Sequence, residues 1–491
     1  MKKRLLSVFL CLCMVFSLVP ATVWAETTNG HTHYLCGGST CNGSGHENET
    51  YKTTFEKEIK QEGNTLKIGD KSWAPTKGSN DTFYILPTGT YYLGSDISLE
   101  YTIKIENNVT LCLNGHKITA ADGMDAIYMT GGSITLTDCK GVGTITHASS
   151  KTGGGVYVYS GSGTFNMYGG SITGNRATGD GGGVYKSGSN SSFNMYGGSI
   201  TGNTANSYGG GVYVDGGGFT MSGGTIGGTK TGETNTATYG GGGVYVVGSS
   251  STFEMTDGSI TGNNAAYGGG VYTVNEFKMT GGSITGNNAY KSDYISTFGG
   301  GVCVGSGIFT VSGEVTVTDN TKGGTKGADG KFTGDTKNNV YLPTGKTITI
   351  GTDKLSEGAQ LGVTVSGDYG DYPFTSGWND NMSDKTPSDY FISDTDGYVA
   401  KLNGSELKMV THVHNWTYTA SGDTITATCK NCSNNNGNDF SGGSVTIQKP
   451  EKTKFNDGKD ENAKVESVGW FGKAPSVAYA VKDGNALSVP L

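Results

Sequence analysis

The chain of 491 residues has little arginine, few prolines and, beyond residue 25, no long apolar run. Its two arginines are Arg4 and Arg176, and 43 acidic residues outnumber 35 lysines and arginines. The resulting net charge of −8 argues against nucleic acid and anionic membranes as partners. Because no later segment approaches 18 consecutive apolar residues, we predict no membrane-spanning helix after residue 25.

The first 25 residues have the pattern of a secretory signal peptide. Lys2, Lys3 and Arg4 precede an apolar run from Leu5 to Val19, and Val23-Trp24-Ala25 is typical of a cleavage site. The Leu-Pro-x-Thr-Gly motif for covalent attachment to a cell wall is absent. We therefore expect a secreted, extracellular protein, associated with the cell surface or released, with cleavage after Ala25.

Glycine is abundant, with 84 residues, and much of it belongs to a repeat. The string Gly-Gly-Gly-Val begins at residues 153, 181, 209, 241, 268 and 299. Between these positions a second block, Phe-Asn-Met-Tyr-Gly-Gly-Ser-Ile-Thr-Gly-Asn at residues 165–175, returns in closely related form. A fixed period in this range indicates a solenoid, whose units bury their apolar faces only by stacking.

Each repeat unit predicts three short strands separated by tight turns. Val156 and Val158 alternate with Tyr157, and Phe165 alternates with Asn166, so each strand has one apolar face. Glycine and asparagine between the strands tolerate the positive φ of sharp turns. We therefore predict an all-β fold, a parallel β-helix in which every repeat position becomes a column along the axis.

The predicted inward columns consist of phenylalanine, methionine and isoleucine. Their members are Phe165, Phe193, Phe219, Phe253, Phe277 and Phe309; Met167, Met195, Met221, Met255 and Met279; and Ile172, Ile200, Ile226, Ile260 and Ile284. A column of asparagines, Asn175, Asn203, Asn263 and Asn287, is predicted at one corner, where stacked amides can hydrogen-bond along the axis.

The predicted outward column is aromatic, and it is the candidate binding site. It consists of Tyr157, Tyr185, Tyr213, Tyr245 and Tyr272, with Cys303 in the sixth place. Cross-strand stacking that stiffens the rod is one interpretation of this column. The other is a flat aromatic strip that contacts a glycan or protein of a host or bacterial surface, since exposed aromatic residues mark binding surfaces.

Two clusters of cysteine and histidine are candidate metal ligands. The second cluster, His412, His414, Cys429 and Cys432, has the ligand set of a tetrahedral zinc site, and the first consists of His31, His33, Cys36, Cys41 and His46. Local disulfides are the alternative in a secreted chain. A zinc ion held by four such ligands would be structural, and no other cofactor is predicted. Cys112, Cys139 and Cys303 are expected to be buried thiols within strands.

The pattern along the chain predicts six segments. They are a signal peptide at 1–25, a Cys/His-containing region at 26–80, a β-helix at 81–366, a cap at 367–410, a module with His-x-His and Cys-x2-Cys at 411–440, and a partial β-sandwich-like module at 441–491. The β-helix thus has small β appendages at both ends.

The repeats resemble those of a known group of proteins. Thr-Gly-Asn-x-Ala followed by Gly-Gly-Gly-Val-Tyr, together with Val109-Thr-Leu-Cys-Leu-Asn-Gly-His116 and Asn339-Val-Tyr-Leu-Pro343, resembles the pectate-lyase-like β-helix proteins secreted by gut Firmicutes. The array is also similar to the repeats of chlamydial polymorphic adhesins. This resemblance implies a right-handed helix over about residues 81–365 and a secreted or surface protein.

Catalysis is not favoured by the sequence. The acidic residues of the array stand at different repeat positions, namely Asp180, Asp215, Glu254 and Asp257. No two aspartates are adjacent anywhere in the chain, although a β-helix glycoside hydrolase would use clustered carboxylates. We therefore expect a binding, adhesion or display element, and a polysaccharide-degrading lyase or hydrolase is the alternative.

Overall fold

A computed structural model of the chain divides into two units, residues 1–366 and 367–491. Its side chains are described for residues 53–79, 81–148, 152–159, 161–290, 296–324, 335–367 and 372–411. Further strands are described as backbone alone. Within these residues, no helix is long and apolar enough to cross a membrane.

The first unit is an all-β solenoid of parallel strands, which confirms the predicted fold class. Each coil supplies three strands, and each strand pairs with its counterparts in the coils before and after it. The register follows the repeat: Phe165 lies opposite Phe193, and Phe193 lies opposite Phe219. The sequence period therefore sets the coil length, and the rod has three faces, which we name A, B and C.

Face A carries the strands that follow the glycine triplets and their counterparts in the other coils. They are Thr82–Ile85, Ile103–Ile105, Ile127–Met129, Val156–Val158, Val184–Ser187, Val212–Asp215, Val244–Val247, Val271–Thr273, Val302–Val304 and Val340–Leu342. Face B begins with Gly89–Leu93, Asn108–Cys112, Ser133–Thr137, Thr164–Met167 and Ser192–Met195. Face C begins with Ile97–Ser98, Lys117–Ala120, Thr144–His147, Ser171–Thr173 and Ser199–Thr201.

From the coil that contains Val212–Asp215 onward, faces B and C share one long strand in each coil. These strands are Gly218–Gly227, Thr252–Thr261, Glu276–Thr285 and Ile308–Thr318, followed by Ile348–Leu355 and Gln360–Val365. A small additional sheet lies at the corner between faces C and A. Its strands are Arg176–Ala177, Thr204–Ala205, Thr236–Ala237, Asn264–Ala265, Asn288–Ala289 and the antiparallel pair Thr321–Lys326 and Phe332–Lys337.

The predicted inward columns are confirmed. Phe165, Phe193 and Phe219 are fully buried, and their ring centroids lie 4.8 and 4.6 Å apart with nearly parallel planes. The methionine and isoleucine columns are equally buried and in register. Each such side chain contributes roughly 1.5–3 kcal/mol through burial, so these columns hold the coils together.

The predicted asparagine column is also confirmed, and it is longer than the sequence indicated. Each side-chain amide donates from Nδ2 to Oδ1 of the asparagine one coil further on, at 2.9 Å from Asn175 to Asn203 and 3.1 Å from Asn203 to Asn235. Asn320 and Asn339 continue the column towards the C-terminal end. The column therefore satisfies buried polar groups at the corner where the chain turns towards face A.

The N-terminal end of the rod has antiparallel pairings in place of a bare sheet edge. Lys57–Glu62 pairs in parallel with Gly89–Leu93 and then in antiparallel with Thr65–Ile68, which pairs with Lys71–Ser72. Strand pairing of the rod thus begins ahead of the predicted boundary at residue 81. Covering the edge in this way removes unpaired backbone groups that could recruit another chain.

The second unit contains a short helix, Trp378–Met382, a single 3-10 turn, Pro387–Asp389, and several strands. Trp378, Phe374 and Phe391 are buried against one another beside the antiparallel pair Tyr398–Asn403 and Glu406–Thr411. The remaining strands are Thr375–Ser376, Phe391–Ser393, Trp416–Ser421, Thr424–Ser433, Asp439–Thr446, Lys452–Thr453, Ala463–Gly469, Ser476–Val481 and Ala486–Pro490. The predicted boundary at residue 441 falls inside the strand Asp439–Thr446.

One inward position of face A holds a lysine, which sequence reasoning did not single out. Lys186 lies in register between Val158 and Val214 and is completely buried. Its Nζ donates to the backbone carbonyls of Gly188, at 3.0 Å, and of Gly216. Burial lowers the pKa of Lys186 to about 8, although the negative charge of Asp215 opposes that change.

Replacing Lys186 by methionine is expected to stabilise the rod by about 2 kcal/mol at pH 7. The lowering of the Lys186 pKa from 10.5 to about 8 corresponds to a penalty of roughly 3 kcal/mol for burying the charge. Methionine removes this penalty, but it also removes two hydrogen bonds, which offsets part of the gain in stability. Because the folded pKa lies below the unfolded one, the unfolded chain binds more protons between pH 8 and 10, so wild-type stability rises with pH across that window.

Urea unfolding followed by near-ultraviolet circular dichroism at pH 7, 8 and 9.5 measures this effect. The methionine variant should show the higher midpoint at pH 7 and no rise between pH 8 and 9.5. Lys230→Met is the matched control, because the Lys230 side chain is 84% exposed, and it should change stability by less than about 0.5 kcal/mol. A midpoint lowered by Lys186→Met would show that the hydrogen bonds outweigh the buried charge.

Candidate functional site

The outward column of face A is confirmed as a continuous stack of aromatic rings. Tyr157, Tyr185, Tyr213, Tyr245 and Tyr272 lie opposite one another in register, and Cys303 takes the sixth place. Ring centroids of successive members are 4.7, 4.8, 5.4 and 5.2 Å apart. The column extends to Tyr128 on the N-terminal side and Tyr341 on the C-terminal side.

The middle of this column is covered, so the expectation of a flat exposed strip is wrong there. Tyr213 is 9% exposed and Tyr245 is 8% exposed. Tyr208 stacks on Tyr245 with ring centroids 4.6 Å apart, and the ring centroid of Tyr267 lies 5.9 Å from that of Tyr272. A second row of rings, from residues that directly precede the glycine triplets, therefore lies over the tyrosine column.

The signal for this second row is present in the sequence. Tyr208, Tyr267 and Phe298 each stand immediately before a Gly-Gly-Gly-Val string. Backbone bridges align Tyr208, Gly240, Tyr267 and Phe298 in one row. Tyr239 precedes a run of four glycines, so Gly240 takes the row position and the Tyr239 side chain lies further out, 39% exposed.

The two rows form one surface, which we call the aromatic face. Its members are Tyr128, Tyr157, Tyr159, Tyr185, Tyr208, Tyr213, Tyr239, Tyr245, Tyr267, Tyr272, Phe298 and Tyr341. Tyr159 is 50% exposed and packs against Tyr157, and Tyr239 packs against Tyr208. Tyr159 and Tyr239 are therefore the most exposed rings of the aromatic face.

Two aspartates lie at the aromatic face. Asp215 follows Tyr213 by two residues on the same strand, so both side chains point outward. Asp180 accepts a hydrogen bond from the backbone N–H of Tyr208 at 3.0 Å. Burial, and after it the negative charge of Asp215, raises the pKa of Asp180, whereas the hydrogen bond from Tyr208 lowers it.

The hydroxyls of Tyr185 and Tyr213 remain protonated at neutral pH. Burial, then the neighbouring Tyr157 and Asp215, raises the pKa of Tyr185 to about 12. Burial, followed by the charge of Asp180, raises the pKa of Tyr213 as well. The face therefore offers neutral hydroxyl groups, which both donate and accept hydrogen bonds, beside carboxylates that accept them.

Among the described residues, lysines contact the aromatic face near its two ends. Lys104 Nζ lies 5.2 Å from the ring centroid of Phe83, which stacks on Tyr128, and Lys322 Nζ lies 5.7 Å from that of Phe298. A shallow depression beside Phe83 is lined by Thr76, Asp81 and Lys104, among others. Lysines thus lie near both ends of the face, and Lys104 is itself paired with Glu106 at 2.7 Å.

The other acidic residues of the array do not join this arrangement. Glu254 lies on face B, where its carboxylate pairs with Lys278 at 3.0 Å. Arg176 lies in a corner strand opposite Thr204 and is exposed. Asp180 precedes a glycine triplet and Asp215 ends a face A strand, so the two aspartates lie at different places along the aromatic face.

The predicted metal sites fall outside the described side chains. His31 and His33 lie in the strand His31–Tyr34, and Cys429 and Cys432 lie in Thr424–Ser433, with only the backbone described. The other members, Cys36, Cys41, His46, His412 and His414, lie outside the described residues altogether. Zinc binding and disulfide formation at these clusters both stay open predictions.

Comparison of the chain with protein-family models, with curated proteins and with solved structures finds no match in any of the three. The aromatic face therefore has to be interpreted from its own chemistry.

Proposed function

We propose that this protein is an exported β-helix rod that binds carbohydrate along its aromatic face, as an adhesion or display element at the cell exterior. The observation that carries the proposal is the continuous stack of rings with Tyr159 and Tyr239 exposed on it. Aromatic side chains combine a large apolar surface with a polar group and are enriched where proteins bind partners. The signal-peptide pattern of residues 1–25 supports the exterior location.

Repetition is the physical advantage of such a rod. Rings recur along the rod at intervals of about 5 Å; those of Tyr157 and Tyr185 are half-buried, and those of Tyr159 and Tyr239 are exposed. A polymeric ligand with its own repeat can contact several coils at once, and contacts that are individually weak then add to a useful affinity. The protein thus fits an extended chain of sugars better than a single small molecule.

The charges of the face favour neutral sugars as its ligands. Asp180 and Asp215 lie at its middle, and their carboxylates accept hydrogen bonds from sugar hydroxyls. The same carboxylates repel uronic acids and sulfated sugars. We therefore expect binding to an uncharged polysaccharide such as a glucan or galactan, and weaker binding to pectate.

The double variant Tyr159→Ser/Tyr239→Ser is expected to weaken glycan binding about tenfold or more. Each exposed ring that stacks on a ligand contributes roughly 0.5–1.5 kcal/mol beyond its buried area. The measurement is a glycan-array screen followed by titration calorimetry on the polysaccharide that binds best. Substituting Tyr213 or Tyr245 instead would test the packing of the face, because both rings are nearly buried.

Tyr196→Ser is the matched control for that experiment. Tyr196 is also an exposed tyrosine, at 36%, and also stacks on a neighbour, Tyr168, but it follows a face B strand. Unchanged glycan binding by the double variant, or equal losses in the double variant and the control, would count against the aromatic face as the binding surface.

A polysaccharide-cleaving enzyme is the second candidate, and the presence of two aspartates, Asp180 and Asp215, at the aromatic face is the observation that favours it. Two carboxylates beside a sugar-binding surface are the groups that a glycoside hydrolase needs. Assays for new reducing ends and for unsaturated products decide between the two functions. Products that disappear in Asp180→Asn and Asp215→Asn would establish catalysis, whereas binding without products supports the binding element.

A further inference from the structure

The tripeptide Leu-Asn-Gly occurs twice in the chain, once in each unit. Leu113-Asn114-Gly115 follows the face B strand Asn108–Cys112, and Leu402-Asn403-Gly404 lies at the end of the strand Tyr398–Asn403. In an Asn-Gly pair the glycine nitrogen can attack the asparagine amide, because glycine has no Cβ to obstruct the approach. Both copies have the same residue on the N-terminal side, so a difference in their reactivity would come from the fold.

Asn114 is held by the surrounding coils at every group that the reaction needs. The residue is 4% exposed, and its Nδ2 donates to the carbonyl of Leu93 at 2.9 Å. The Gly115 N–H, which would have to attack, donates to Oδ1 of Asp138 at 2.6 Å. The Asn114 Oδ1 accepts a hydrogen bond from the thiol of Cys139 at 3.4 Å. Reaction at Asn114 therefore requires local opening of the rod.

The thiol beside Asn114 departs from the sequence prediction. Cys139 comes two residues after the strand Ser133–Thr137 ends and is partly exposed, so the expectation of a buried thiol within a strand is wrong for it. Cys112 and Cys303 are buried within strands, as predicted.

Asn403 has open surroundings. Its side chain is exposed and hydrogen-bonds to no described residue, and the same is true of the Gly404 N–H. Gly404 has a φ of 69° at the turn between the paired strands Tyr398–Asn403 and Glu406–Thr411. A Cβ on Gly404 would meet no atom within 4 Å beyond its chain neighbours. No described group therefore opposes the approach of the Gly404 nitrogen to Cγ of Asn403.

We infer that Asn403 is a spontaneous modification site, at which the Gly404 nitrogen attacks Cγ of Asn403 and water completes the conversion to aspartate or isoaspartate. The new N–Cγ bond closes a succinimide ring, the Cγ–Nδ2 bond breaks, and Nδ2 leaves as ammonia with the Gly404 proton. Water then opens the ring. Cleavage of the new N–Cγ bond gives aspartate, and cleavage of the original peptide bond gives isoaspartate. Nothing is oxidised or reduced, and water is the only co-reactant.

Either product places a negative charge opposite Glu406. Asn403 and Glu406 are cross-strand partners, and like charges directly opposite each other destabilise a strand pair. The Glu406 carboxylate also accepts hydrogen bonds from Thr375 Oγ1 at 2.9 Å, from the Gly377 N–H at 2.7 Å and from the Trp378 N–H at 3.1 Å. The modification is therefore expected to lower the stability of the second unit.

Peptide mapping of the full chain tests the inference. The protein is kept warm at pH 8, sampled over several weeks and digested with trypsin at mildly acidic pH. Cleavage after Lys401 and Lys408 gives the peptide 402–408, and cleavage after Lys104 and Lys117 gives the peptide 105–117. Aspartate and isoaspartate should appear at Asn403 at least about tenfold faster than at Asn114, because Asn114 reacts only after local opening.

The same incubation in urea is the matched control, because it removes the fold and keeps both Leu-Asn-Gly copies. In urea the two asparagines should react at similar rates. Equal rates in the folded protein would overturn the inference. So would an Asn403 that reacts in urea but not in the folded protein, or a difference between the two sites that persists unchanged in urea.

The variant Asn403→Gln tests the effect on stability. Glutamine keeps an amide at this position but would have to close a larger, six-membered ring, so it should stay unmodified over the same period. The urea midpoint of the second unit should fall as wild-type protein ages and stay constant in the variant. Equal falls in both proteins would contradict the expected effect of the charge opposite Glu406.

Discussion

Replacing Gly211 by alanine is expected to destabilise the rod by about 3 kcal/mol or more. Gly211 is the third glycine of its triplet and enters the strand Val212–Asp215. A Cβ at this position would lie 2.6 Å from the carbonyl oxygen of Gly243 and 2.9 Å from Cγ2 of Ile226. The carbonyl belongs to the backbone of the next coil, so the coils themselves would have to separate.

The same position recurs in every coil, which explains the triplet. At Gly183 and Gly243 a Cβ would meet the next coil's glycine carbonyl at the same 2.6 Å and an isoleucine of face C. Glycine is required at the first position of the triplet for a different reason. Gly209 has a φ of 67°, a left-handed conformation that other residues adopt only at a cost in free energy. The first glycine of each triplet therefore allows the turn, and the third allows the close approach between neighbouring coils.

Gly179→Ala is the matched control for Gly211→Ala. Gly179 belongs to the same repeat, yet a Cβ there meets no atom within 4 Å. Alanine at Gly179 should be neutral or slightly stabilising, because it restricts the unfolded chain. Urea midpoints of both variants are compared with wild type. A Gly211→Ala variant as stable as Gly179→Ala would show that the coils are not packed as tightly as the structure has them.

Spacing and alternation were enough to predict the parts of the fold that repeat exactly. The phenylalanine column follows because Phe165, Phe193 and Phe253 stand at the same offset from their glycine triplets. Asn235 was missed because its coil has an insertion, and it follows Glu-Thr where Asn175, Asn203, Asn263 and Asn287 follow Thr-Gly. The structure restores it to the column, with Nδ2 2.9 Å from Oδ1 of Asn263.

The candidate site was predictable only in part, because only some of its residues occupy positions that repeat exactly. The tyrosine column repeats exactly and was found. The row of Tyr208, Tyr267 and Phe298 lies over it through side-chain directions that period alone does not fix. Lys186, Asp180 and Asp215 are single departures from the repeat, and their contacts depend on the coils beside them. Such features are not visible in the repeat pattern, because each occurs only once.

Asn235→Ala is expected to cost about 3–5 kcal/mol, the other large effect in this rod. Asn235 is completely buried. Its Nδ2 donates to the carbonyl of Ile200 at 2.7 Å and to Asn263 at 2.9 Å, and its Oδ1 accepts from the backbone N–H and the side chain of Asn203 at 2.9 and 3.1 Å. Alanine leaves several of these buried groups without partners, and each costs about 1–3 kcal/mol.

The variant Asn235→Asp distinguishes the effect of the hydrogen bonds on stability from the effect of side-chain shape, because aspartate has nearly the same shape as asparagine. A carboxylate keeps the acceptor towards Asn203 but faces Ile200 and Asn263 with an oxygen where a donor is needed. Only the protonated acid can donate there, so the folded pKa of the introduced carboxyl group lies above its unfolded value of about 3.9. Stability of this variant is therefore lost as pH rises, and its deficit relative to wild type should be larger at pH 7 than at pH 4.

Asn206→Ala is the control for the column, since Asn206 is exposed three residues after Asn203. It should shift the urea midpoint little at either pH. A deficit of Asn235→Asp that stays the same at pH 4 and pH 7 would contradict the hydrogen-bonded column, because a buried carboxyl facing two oxygens must respond to its own protonation. The expected result is that the deficit of Asn235→Asp is smaller at pH 4 than at pH 7, whereas Asn235→Ala is equally unstable at both pH values. That result would show that the hydrogen bonds of the amide column, and not only the volume of the side chain, stabilise the rod.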